Sequence, residues 1–117
     1  MRKVVPLACA LALAGCSAAQ DEIRRDGKRF QASSVRTPLG AVSCVRRNIE
    51  EAGGLTISTR EAAEPGAFEF SVRKQNADSV LMYVHALPIQ KGSFITAWIS
   101  PMHPNPEGTF ANAVKGC

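Results

Sequence analysis

TPLGAVSCVRRNIEEAGGLTISTR, residues 37–60, contains a change of period that decides the fold. Up to Ala52 the apolar residues recur at helical spacing. At 100° per residue Leu39, Ala41, Val42, Val45, Ile49 and Ala52 fall on one arc, with Ser43, Arg46, Arg47, Glu50 and Glu51 opposite. Thr37 can accept from the free amides at the helix start, Pro38 is tolerated at the first helical position, and Gly53-Gly54 ends the segment. Glu50 and Glu51 oppose the helix dipole, a small cost beside burial of the apolar arc. From Leu55 the pattern alternates, and Leu55 to Arg60 reads as a strand.

Downstream the alternation continues. Residues 67–74 place Phe68, Phe70 and Val72 against Glu69, Ser71 and Arg73, after a turn at Glu64-Pro65-Gly66. Residues 79–87 and 93–100 are the next two strands, joined through Pro88 to Gly92. Four strands with short connections imply an antiparallel meander. Asn105 as cap, Pro106 behind it, Glu107 in the first turn and Lys115 in the last mark a C-terminal helix, with Phe110 and Val114 one turn apart. The expected fold is α+β: a helix, a four-stranded antiparallel meander sheet and a C-terminal helix, with both helices on one face.

Upstream, residues 17–35 are rich in Ser, Ala, Gln and charge, with Ile23, Phe30 and Val35 the only large apolar residues. This reads as a tether. Arg24, Arg25, Lys28 and Arg29 could rest on anionic headgroups, although Asp21, Glu22 and Asp26 partly neutralise them. Before it stand Arg2 and Lys3, an apolar run from Val4 to Ala14, and Leu13-Ala14-Gly15-Cys16. The run is well short of the ~20 apolar residues of a spanning helix. The combination resembles the lipobox signal of bacterial lipoprotein precursors. That resemblance implies cleavage before Cys16, a diacylglycerol thioether on Cys16, and three acyl chains anchoring the product stably to a membrane. Ser17 after the cysteine resembles the sorting pattern for the outer membrane. The expected organisation is a signal peptide over 1–15, a lipidated N-terminus and flexible tether over 16–35, and one globular domain over 36–117.

Of the four cysteines, Cys9 falls in the signal and Cys16 takes the lipid, leaving Cys44 and Cys117. Two leftover thiols in an exported protein pair, so a Cys44–Cys117 disulfide is expected, closing a long loop. Neither cysteine belongs to a C-x-x-C pair, which argues against structural zinc and against thioredoxin-like redox work.

Charge narrows the function classes. The chain has 14 basic and 10 acidic residues, and removing Arg2 and Lys3 leaves 12 against 10. That weak balance disfavours a nucleic-acid partner. No G-x-S-x-G turn marks a nucleophile, Gly53-Gly54 follows a helix instead of preceding one, and the carboxylates fall on a helix surface and a turn. No enzyme activity and no cofactor are expected. His85, His103, Met82 and Met102 suggest copper, but Met82 and His85 are three apart in a strand and point to opposite faces, so no metal site is expected.

One feature of the pattern has functional content. The third strand has Val80, Met82, Val84 and Ala86 on one side and Leu81, Tyr83, His85 and Leu87 on the other; in the fourth, Phe94, Thr96 and Trp98 oppose Ile95, Ala97 and Ile99. Both faces are apolar, and two helices cover only one. Leu81, Tyr83, His85, Leu87 and Trp98 are therefore the candidate interaction surface for an envelope protein or envelope component, unless the tether folds back with Ile23 and Phe30 to cover it. The alternative is a periplasmic carrier of a small ligand or metal using His85, Tyr83 and Trp98.

Overall fold

The computed structural model describes residues 22–76 and 79–117. The expected signal peptide and Cys16, the expected site of lipidation, lie outside these residues. A short helix α1 (22–26) is followed by β1 (Lys28–Ser34), α2 (Pro38–Glu50), β2 (Leu55–Glu61), β3 (Phe68–Lys74), β4 (Val80–Ile89), β5 (Gly92–Ile99) and α3 (Pro106–Val114). The strands form one antiparallel sheet in the order β1-β5-β4-β3-β2.

The α+β class and the meander β2 to β5 agree with the sequence reading, but the sheet has five strands, not four. The additional strand, β1, lies inside the stretch 16–35 expected as a tether. Its inward row is Phe30 and Ala32, while Arg29, Gln31 and Ser33 face away. An edge strand needs only one apolar row, and a row of two residues is a faint signal amid a charge cluster. The end of β1 passes so close to the β4–β5 hairpin that a Cβ on Gly92, at φ 136°, would collide with the Ser34 carbonyl. Glycine alone accepts both constraints.

Because β1 and β2 occupy opposite edges, α2 must carry the chain across the sheet. Thirteen helical residues span about 20 Å, and five strands at the usual spacing are about 19 Å wide, so the helix is matched to its task. Thr37 Oγ1 accepts from Gly40 N at 3.1 Å, the cap expected from sequence. Ala41, Val42 and Val45 of α2 and Ala113 of α3 bury against Phe70, Val72, Met82, Val84, Ala86, Ile95, Ala97 and Ile99. Both of these helices therefore sit on one face. Leu39 and Ala52 depart from the expected arc: Leu39, in the first turn, is half exposed, and Ala52, beyond the end of α2, is exposed.

α3 is fastened at its end. Cys44 and Cys117 form a disulfide, with Cα atoms 5.7 Å apart. Asn48 Nδ2 donates to the carbonyls of Ala113 at 2.9 Å and Lys115 at 3.0 Å, and Ser34 Oγ donates to that of Cys117 at 2.6 Å. Phe30 stacks on Phe110 with centroids 5.3 Å apart. Phe30 thus belongs to the helix-covered face and does not cover the other one.

Candidate functional site

Strand register determines what the second face presents. Tyr83 pairs with Trp98, His85 with Thr96 and Leu87 with Phe94, so these side chains share the face turned away from α2 and α3. From β3 and β2 the same rows continue through Ser71 to Ser58 and through Glu69 to Arg60. The face is a band of aromatic and polar side chains across the middle strands, with Phe94 and Leu87 as an apolar end.

Four of the five candidate residues, Tyr83, His85, Leu87 and Trp98, are brought together. Leu81 is not: the β3–β4 register shifts between Val72 and Arg73, which face Met82 and Val80, and leaves Leu81 unpaired at the bulge. Leu81 lines the clefts at that end of the sheet instead. Tyr83 and His85 are buried, whereas Leu87, Trp98 and Phe94 are half-buried. The accessible part of the surface is accordingly Trp98, Leu87 and Phe94.

What buries Tyr83 is partly α1. Ile23 is itself buried, and the Arg24 guanidinium stands 4.8 Å from the Tyr83 ring centroid and 5.5 Å from that of Trp98. Arg24 Nη2 also donates to the Tyr83 hydroxyl at 2.9 Å. The rings of Tyr83 and Trp98 are 5.4 Å apart and tilted by 33°, and His85 follows at 6.5 Å from Tyr83. A cation over two aromatic faces is attracted by both ring quadrupoles. The N-terminal stretch thus folds back onto this face at Arg24.

Beside the aromatic pair lies a charged network. Arg60 Nε donates to Glu69 Oε2 at 2.9 Å, and His85 Nε2 is 3.2 Å from Glu64 Oε2. Burial pushes the Tyr83 hydroxyl well above its ordinary value, and the Glu69 carboxylate adds to this, with Arg24 opposing. Tyr83 therefore stays protonated. The Glu64 carboxyl is held below its usual value by a backbone hydrogen bond and then by His85. Arg24, Arg60, Glu64 and Glu69 were not singled out as site residues from sequence. For Glu69, the one signal was a carboxylate alternating with Phe68, Phe70 and Val72 in a strand bounded by a sheet with two apolar faces.

Among the described residues, no cluster of three or more His, Cys, Asp and Glu side chains is placed to hold a metal ion. His103 is instead engaged locally, accepting at Nδ1 from Asn105 N at 3.2 Å. Comparison with protein-family models, with curated proteins and with solved structures finds no match to this chain.

Proposed function

We propose that this is a small, non-enzymatic, lipid-anchored protein of the bacterial cell envelope that binds another protein or an envelope component through the second face of its sheet or its edge. The anchor is Cys16, on the periplasmic side of the outer membrane, and the reading of it rests on the lipobox resemblance. The observation that supports the binding reading is the half-buried group Trp98, Leu87 and Phe94 on one face, beside an ordered aromatic and charged network. Tryptophan is among the residue types most enriched at binding hot spots, and the network behind it pre-organises its position. The alternative, a carrier of a small ligand or metal through His85, Tyr83 and Trp98, draws less support because Tyr83 and His85 already have partners in Arg24 and Glu64.

A photo-crosslinking residue at position 87 tests the binding reading in intact envelopes. A discrete adduct at 87, missing when the group is placed at Ser43 on the outer side of α2, is the expected result. Equal diffuse labelling at both positions would count against the face. The anchor is tested separately: Cys16→Ser should abolish lipid incorporation and leave the protein unprocessed, and normal maturation of that variant would refute it.

A further inference from the structure

A well-formed concavity lies away from the second face. A cleft of about 620 Å³ opens between the C-terminal end of α2, α3 and the ends of the central strands. Its walls are predominantly apolar, with Ile49, Leu55, Val72, Met82, Ile99 and Ala113 prominent. Met102, 88% exposed, stands at its rim beside Leu81. An unbranched thioether in that position can close over a flexible ligand.

The polar lining is asymmetric. Among the described residues no carboxylate lines the cleft, and the ionisable side chains there are Lys74 and His103. Asn48 also lines it, but its amide donates to the Ala113 and Lys115 carbonyls. His103 faces Thr109 and Asn105. Lys74, exposed at the end of β3, is thus the charged donor best placed to meet a ligand's head. An apolar cavity of this size with one cationic rim fits an amphiphile with a long tail and a negative end. The cleft's volume of about 620 Å³ lies within the roughly 300–1,000 Å³ of ordinary small-ligand sites.

We infer that the cleft between α2, α3 and the strand ends is a binding site for a long-chain carboxylate, a free fatty acid partitioning from the bilayer, with its head at Lys74. The site lies on the helix-covered side of the sheet and is independent of the second-face reading.

The test uses the full chain with phosphatidylcholine vesicles and a diazirine-bearing palmitate, followed by peptide mapping of the adducts. Labelling concentrated on peptides containing Leu55, Met82 and Met102 is expected. Ala52 is exposed and lines the cleft, so Ala52→Trp fills it without touching the core and should reduce labelling by roughly tenfold. Lys74→Glu should reduce it by about threefold, the scale of one exposed charge interaction. Circular dichroism of both variants establishes that they are folded. Three results would overturn the inference: adducts spread over the surface and insensitive to Ala52→Trp, equal labelling by a diazirine-bearing long-chain alcohol, or labelling that occurs only in Cys16→Ser. The last would mean that the chain's own anchor occupies the cleft.

Discussion

Removing the Cys44–Cys117 bond should be the most damaging single perturbation of this fold outside its core. The cysteines are 73 residues apart, and on the chain-entropy model closing such a loop contributes about 4 kcal/mol by restricting the unfolded chain. Domains of this size are stable by roughly 5–15 kcal/mol, so the bond is a large share of the total. At about 4–8 °C per kcal/mol, the thermal midpoint should fall by roughly 20 °C. The folded state should survive, because Asn48, Ser34 and the Phe30–Phe110 stack still hold α3. The assay is urea unfolding and thermal melting of the Cys44→Ala/Cys117→Ala variant, beside wild-type protein with and without reductant. The reduced wild type has no lost side-chain atoms, so its shift isolates the cross-link from any cavity at the buried Cys44. The slope of the urea transition should also rise, since the unlinked chain exposes more surface. A midpoint shift under about 5 °C in reduced wild-type protein would refute the loop-entropy argument and assign the fastening of α3 to its hydrogen bonds.

Gly92→Ala should destabilise by on the order of 2–4 kcal/mol, because the new Cβ meets the Ser34 backbone at a φ of 136° and must push β1 off the hairpin; an unchanged denaturant midpoint would contradict that contact. Arg24→Ala should shift the emission of the single tryptophan, Trp98, to longer wavelength while costing about 1 kcal/mol, and an unaltered spectrum would mean that Arg24 does not lie over the ring. The Glu64 carboxyl is held below its ordinary value of 4.5 in the folded protein, so its contribution to stability is fully present above that pH and is lost as pH falls through the lower folded value. The thermal midpoint of Glu64→Gln should therefore decline less steeply than that of wild-type protein on acidification below 4.5, and parallel curves would mean that the Glu64 carboxylate contributes no such stability.

Where local chemistry specified an element, the sequence was legible. The caps at Thr37 and Asn105 and the alternation of β2 to β5 place those elements within two residues of where the structure has them. The disulfide followed from the two cysteines left once Cys9, in the expected signal, and Cys16, the expected site of lipidation, were set aside. What failed was what depends on long-range pairing. β1 is recognisable only once β5 is known to lie beside it, because Arg29 and Gln31 read as linker until Phe30 and Ala32 have a core to face. The β3–β4 bulge that withdraws Leu81 from the face is likewise a property of two strands, not of either one. The charged network was hidden for the same reason: Arg60 and Glu69 meet across a strand pair, while Arg24 reaches Tyr83 over a separation of 59 residues.

The central claim is that the accessible part of the second sheet face recognises a partner. The direct measurement is affinity recovery from detergent-solubilised envelope with wild-type bait and with the Leu87→Ser/Trp98→Ser variant, each with its thermal midpoint. Both side chains are half-buried, so their loss should lower stability modestly while removing a binding hot spot of about 2 kcal/mol, roughly thirtyfold in affinity. A specific protein or envelope component recovered by wild-type bait and lost with the variant, at a midpoint within a few degrees of wild type, is the predicted result. Equal recovery by both baits, with a collapsed midpoint in the variant, would place Leu87 and Trp98 in the core and contradict the account.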